Sequence, residues 1–413
     1  MPSSLLSAPK LKRRADRKDT KISNPTTLRF TNVCGSYIRP HSHSQPAPME
    51  LPIVRFNRKP SDFSKILKER VDTYFKENGL SRQGDWRMYA KTVVMLALFF
   101  TPWALIAFGG VGGGWQFWVA EVVMGFGLAG IGLNVMHDAN HGAFSKHKWV
   151  NKTVSYVLDL VGGSSALWRI QHNVLHHSFT NIEGLDEDID TPGILRFTPN
   201  RPLKKIHKLQ FIYAWGFYSI MTLFWMTAKD WLALARYRKK GLVKSSGNSV
   251  GELTRDLIIS KVLYFGYIMI LPALFSGLPF WKILVGWMVM HAVTGLILAS
   301  IFQPAHVLED LQFAQGEKGA SMEDDSLSHQ LKSTANFGTR SGIFTWMCGG
   351  LNHQIEHHLF PQVCHIHFRN LAPIVRKTAE EFGLPYRSST TFAGALALHT
   401  KMLWKLGREE SWA

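Results

Sequence analysis

The chain has 413 residues, 46% of them hydrophobic and 19% charged, and carries a net charge of +17. Three cysteines, Cys34, Cys348 and Cys364, are too few and too scattered for a disulfide framework or a thiolate zinc site. The apolar residues fall in long blocks between polar stretches, so the basic excess belongs with cytoplasmic loops facing anionic lipid rather than with nucleic acid.

Residues 1–49 hold nine Lys/Arg against two Asp, are rich in Ser and Pro and show no apolar periodicity. They read as a disordered basic tail or an upstream false start, with Met49 as the working initiator. A transit peptide is the rival reading of so basic and acid-poor a segment. Residues 57–91 are polar, with an expected helical face of Phe63, Ile66, Val71 and Phe75. Thr92–Gly109 is almost wholly apolar, and the uncharged linker Gly110–Gly114 leads to a second apolar run, Trp115–Met136. Leu209–Ala228, Leu257–Ser276 and Phe280–Gln303 are also long and apolar, and Gly277-Leu278-Pro279 joins the last two.

The two short turns lack Lys and Arg, whereas the N-terminal region, the 229–255 loop and the C-terminal region are basic. By the positive-inside rule both turns face outward. If the histidines of 137–177 and 353–358 share one site, an even number of spans separates them. The hairpin of 257–276 and 280–303 supplies two, and 209–228, rich in aromatics, then lies at the interface or packs on a cytoplasmic cap. The expected fold is an all-α integral membrane protein. It has four transmembrane helices in two hairpins and a cytoplasmic helical cap, over a domain of residues 50–390, with 391–413 as a C-terminal tail.

Eighteen histidines are many, and most are clustered. His137-Asp-Ala-Asn-His141 follows the second span directly, and its two imidazoles share one helical face. His172-Asn-Val-Leu-His176-His177 repeats that spacing, with His177 offset by one residue. His353-Gln354-Ile-Glu-His357-His358 forms the third group, and His306 lies just past the span 280–303. A lone i,i+4 pair is usually a surface or core feature. Three groups on one membrane face point instead to bound metal. Eight histidines exceed the three or four ligands of one zinc and suit two metals. Imidazole accepts several transition metals, so ligand type alone does not choose. A site where an apolar slab meets the cytoplasm suits chemistry on a lipid chain. Unactivated C–H bonds need an oxidant made from O2, which favours two iron ions. A zinc-dependent membrane hydrolase or a transporter is the remote rival, although transport calls for ionisable residues within the spans.

Other polar residues have blander readings. His147 and His207 read as surface groups, and His291, mid-span, as a helix–helix hydrogen bond. His365 and His367 are expected to orient the third group or cap the fold. Asp138 and the run Asp186, Glu187, Asp188, Asp190 are either partners of ligating histidines or a solvated loop. Gly162-Gly163 allows a bend before the second group.

The strings HDANH, HNVLHH and QIEHH resemble the three histidine boxes of the membrane fatty acid desaturase family. The likeness continues in Trp168-Arg-Ile-Gln-His-Asn, in NIEGLDEDIDTPG at 181–193 and in LNHQIEHHLFP at 351–361, and covers roughly residues 53–390. A third box that opens with Gln354 is similar to front-end desaturases, which act between an existing double bond and the carboxyl end. The sequence has no HPGG haem motif. That likens it to the stand-alone bacterial type, such as linoleoyl-CoA desaturases, and implies an external donor, a ferredoxin or a cytochrome b5-like protein. The resemblance implies a di-iron centre with O2 as co-substrate and an acyl-CoA or acyl-lipid substrate, in the bacterial inner membrane with the boxes on the cytoplasmic side. It implies His137, His141, His172, His176, His177, His306, His357 and His358 as ligands, with Gln354 and His353 as further candidates. A lipid hydroxylase or epoxygenase on the same scaffold is the nearest alternative.

Overall fold

The computed structural model describes residues 54–191, 193–316 and 321–410; the expected tail 1–49 lies outside them. The described chain is almost wholly helical, with two short parallel ladders, Ile182–Glu183 against Ala314–Gln315 and Asn336–Phe337 against Ser388–Ser389.

Helix α1 (Asp62–Glu77) starts at Ser61, whose hydroxyl accepts from the Ser64 amide. Its buried stripe is Phe63, Leu67, Val71 and Phe75. Leu67 takes the place expected for the half-buried Ile66, because positions four apart stay on one face. The stripe packs on Ile355, Leu359, Leu371 and Val375, beneath the third histidine group.

Five helices are long and apolar enough to cross a membrane: α2 (Trp86–Ala107), α3 (Trp115–His141), α4 (Lys205–Lys239), α5 (Val250–Phe275) and α6 (Phe280–His306). Each exceeds the run expected from hydropathy, since helices do not stop where hydrophobicity does. In α3 and α6 the extension carries His137, His141 and His306 beyond the apolar stretch on the same rigid rod. Small residues let these rods touch. A Cβ on Gly127 of α3 would stand 2.6 Å from the Phe99 amide nitrogen of α2. One on Gly125 would stand 2.8 Å from the Met290 carbonyl of α6. That is the small-residue packing expected where lipid provides no hydrophobic drive between helices.

Helix α4 behaves differently from the other four. Its start is tied to the loop after the second histidine group, through His207 Nε2 to the Gly193 carbonyl (3.1 Å) and the Arg196 amide to Gln210 Oε1 (2.8 Å). Its end returns to the same loop, where Arg236 pairs with Glu187 and Tyr237 donates to that carboxylate (2.7 Å). Between them, Thr222 donates to the His291 carbonyl of α6 (2.8 Å), and the helix passes through a π-helical stretch, Trp225–Lys229.

Residues 391–410, expected as part of a tail, belong to the fold. Thr391 caps helix α7 (Phe392–Leu406), whose Ala395, His399, Met402, Leu403 and Leu406 are buried against α4 and α6. Arg196, wholly buried, holds the far end by donating to the carbonyls of Leu406 (2.7 Å), Glu409 (2.6 Å) and Glu410 (2.5 Å).

Candidate metal centre

Each histidine group sits where a helix changes pitch or ends. In α3 a π-helical stretch, Ile131–Met136, precedes the α-helical turn His137–His141. The second group lies in a helix over 165–179 that is π-helical from Ile170 to His176. Gly162, in the left-handed region at φ 88°, makes the expected bend ahead of it, and a Cβ there would strike the Tyr264 ring. The π pitch corrects the expected offset of His177. Residues five apart align in such a helix, so His177 Nε2 comes within 3.2 Å of His172 Nε2. The third group opens the short helix Gln354–Leu359.

All eight predicted histidines are buried and meet in one place. His137, His141, His172 and His357 bring one ring nitrogen each within 4.8 Å of one another. His176, His306 and His358 do the same, and His177 with His357 and His358 joins the two sets. Ring centroids are 4.6 Å apart for His137 and His357, 4.8 Å for His176 and His306, and 4.3 Å for His177 and His358. Trp168 stacks on His172 at 4.3 Å and walls one side.

Burial and neighbouring imidazoles hold His172, His177, His357 and His358 well below the ordinary imidazole pKa, so they are neutral and able to ligate. His176 differs. Burial pulls it down, but Asp186 and Asp188 outweigh that and raise it to about 9, so a metal binding at Nε2 would displace a proton. The Nε2 atoms of His137, His141, His306, His357 and His358 are buried without a hydrogen-bond partner. Unpartnered polar atoms at this density are costly. A pair of metal ions would satisfy them, and the donor set fits iron among the imidazole-binding metals.

Outer groups orient the rings. Asp186 Oδ1 lies 3.0 Å from His176 Nδ1, and Gln330 Oε1 lies 2.9 Å from His358 Nδ1. Each acceptor takes a hydrogen bond from Nδ1–H and leaves Nε2 free for a metal. Asp186 is therefore a partner and not a solvated loop residue, whereas Glu187 and Asp190 pair with Arg236 and Arg201. His365, expected to serve the third group, instead backs the first: its Nδ1 is 2.9 Å from Asp138, and Lys91 Nζ closes on its Nε2 at 2.9 Å. Glu356, buried in the third group, accepts from Tyr386 (2.8 Å) and Asn336 (2.8 Å).

The two further candidates part company. Gln354 is fully buried against His306, yet neither of its amide atoms completes a hydrogen bond. His353 is buried with Nδ1 3.5 Å from Glu356, and it joins none of the metal-competent groups among the described residues. The structure does not bring it into the centre. His147 is exposed, as expected. His207 is buried rather than solvated, because its ring closes the turn that starts α4. His291 bridges helices through Tyr264 (2.7 Å) and Thr222 (3.2 Å), as expected. His367 packs on Phe75, away from the cluster. Sequence reasoning missed Trp168, Lys91 and Gln330 as parts of the site. Trp168 falls within a string that resembles the family, but Lys91 gives no signal beyond a cation at the edge of an apolar run, and Gln330 gives none.

Apolar rods capped by a buried eight-imidazole cluster define a histidine-box membrane oxidoreductase, and the chain belongs to the fatty acid desaturase family, whose model matches residues 113–390. It is 36% identical over 360 residues to an sn-1 linoleoyl-lipid 6-desaturase from Synechocystis sp., covering 86% of this chain and 98% of that protein. A protein of the same name from Arthrospira platensis is 33% identical, over 83% of this chain and 92% of that one. An acyl-lipid (8-3)-desaturase from Physcomitrium patens is 35% identical, over 84% and 72%. The chain is thus a membrane-bound fatty acyl desaturase.

Proposed function

We propose that this desaturase uses O2 and two electrons to place a cis double bond in the acyl chain of a glycerolipid, on the carboxyl side of an existing one. The observation that carries the reading is the convergence of His137, His141, His172, His176, His177, His306, His357 and His358 in two joined groups. A third box that opens with Gln354, and relatives named as lipid 6-desaturases, support the front-end, lipid-linked form.

These imidazoles would hold two iron ions, which when bound would supply the oxidising power for unactivated C–H bonds. The chain's own residues do the rest. The eight rings would hold the ions, with Gln354 placing an amide beside the His306 set. Asp186 and Gln330 hold their rings by accepting hydrogen bonds from Nδ1–H. Trp168 and the buried apolar cluster of Ile131, Val135 and Met136 below exclude water and would line the acyl chain. In balance, two hydrogens leave adjacent carbons, two electrons and two protons arrive, and O2 leaves as two waters. The electrons come from an external ferredoxin or a cytochrome b5-like protein.

We read α2, α3, α5 and α6 as four spans in two hairpins, with the centre on the cytoplasmic side of a bacterial inner membrane. Both ends of α4 return to the loop 183–201, which supports a helix that dips against α6 without crossing. The positive-inside bias of the loops supports that side.

The test is expression in a host without polyunsaturates, feeding of defined acids, and location of new double bonds by mass spectrometry of intact lipids. Loss of two mass units on a lipid-bound chain, towards its carboxyl end, is the expected product. Gain of an oxygen atom, or zinc instead of two irons per active chain, would overturn the reading.

A further inference from the structure

Asn181 stands out first by its backbone. It is the one non-glycine residue among the described residues with a positive φ, at 57°. Such a conformation costs free energy and persists only where its surroundings impose it. Asn181 is fully buried between the second histidine group and the strand Ile182–Glu183.

Its side chain and its amide both lead to one half of the centre, while its carbonyl accepts from the Ala314 amide (3.0 Å) at the start of the short ladder. The side-chain Nδ2 donates to the His306 carbonyl (2.9 Å) and towards that of Ser333 (3.4 Å). Its backbone amide donates to Asp186 Oδ2 (2.9 Å), while the other oxygen of the same carboxylate holds His176 Nδ1 (3.0 Å). His176 and His306, with His358, form one metal-competent group. A single left-handed residue therefore bears on two of its three histidines, on the His176 ring through Asp186 and on His306 through its backbone carbonyl.

His306 needs such an anchor. It is the last residue of α6, and Pro304 two positions earlier has no N–H to bond the preceding turn. The final turn is thus weak by itself. It is held from outside by Asn181, by the Ala335 amide on the Ala305 carbonyl (3.0 Å), and by His399 on the Val307 carbonyl (3.0 Å). Of these, only Asn181 also reaches His176.

We propose that Asn181 is the positioning residue for the His176–His306–His358 half of the centre, its left-handed backbone serving to aim the amide at the end of α6. This rests on the reading of that cluster as a two-metal site. The test uses the full chain in detergent with two substitutions that keep the backbone but lose the donor. Asn181→Gly suits the positive φ, and Asn181→Asp is isosteric and tolerates the same region. Both variants are expected to elute as the wild type does, to fall from two irons to one per chain, and to lose desaturation about 10–100-fold. Two irons and wild-type turnover in both variants would overturn the proposal. So would loss of both irons together with the compact fold, since that marks a general structural role. If Asn181→Asp aggregates, Asn181→Gly decides. A wild-type chain without iron would instead sink the metal reading itself.

Discussion

His177 follows His176 directly, and on an α-helix the two would point about 100° apart. The π pitch of Ile170–His176 lets both serve one cluster, because the wider turn aligns His177 with His172. Substitution of either partner in such a cluster should act on metal before fold. His176→Ala is expected to abolish product and lower iron content while the protein still elutes as a single folded species; retained desaturation would count against the ligand assignment. Arg196 is a residue of the opposite kind, with structural work and no chemistry. Its guanidinium fills the space between the loop 196–201 and the end of α7 and satisfies carbonyls at 2.5–2.7 Å. Lysine has no fork to reproduce that set. Arg196→Lys should cost about 2–3 kcal/mol from hydrogen bonds to a charged group, read as a lowered melting temperature with iron content unchanged at low temperature.

Among the elements, the glycine seams carry the clearest consequence. Gly127 places α3 against the α2 backbone, and Gly295 places α6 against the carbonyls of Tyr218 and Ser219 in α4, where a Cβ would stand 2.5 and 2.7 Å away. Backbone cannot yield as a side-chain tip does. Gly295→Val should therefore push α4 off α6 and destabilise by about 1–3 kcal/mol or more. Reduced folded yield after detergent extraction would check it, and an unchanged yield and melting temperature would refute the close approach. Helix α7 is the element whose role the primary structure understated. Deleting residues 392–413 should expose the buried faces of α4 and α6 and leave no extractable folded enzyme, whereas a true tail would be dispensable.

At the scale of the whole molecule, four spans and five long apolar helices make different predictions. With α4 returning to its starting side, Gly112→Cys in the first turn should react with a membrane-impermeant thiol reagent from the face opposite Ser246→Cys. Gly277→Cys should share the face of Gly112→Cys. Labelling of Ser246→Cys and Gly112→Cys from the same face would make α4 a fifth span and separate the histidine groups. Removal of iron tests the centre globally. The cluster leaves buried ring nitrogens unpartnered without metal, so chelation should lower the melting temperature, and added Fe2+ should restore it in a concentration-dependent way.

How much of this was legible depends on range. Hydropathy marks where apolar helices lie, and the i,i+4 spacing of His137 and His141 marks a shared face, because both are set by neighbours within a few turns. The same local signals assign the family, and they include His306 once its place after a span is noted. Hydropathy did not set α4 apart from the other long apolar helices; what distinguishes it are its tethers to Gly193 and Glu187, which depend on the folded loop. Nor did it reveal the roles of Asn181, Lys91, Gln330 and His399, or the exclusion of His353, because a side chain's partner across the fold leaves no trace in its own neighbourhood. The amino-acid order by itself determined that eight histidines fall in groups beside long apolar helices. Only the tertiary structure decided which of them meet, since convergence depends on how rods from distant segments pack.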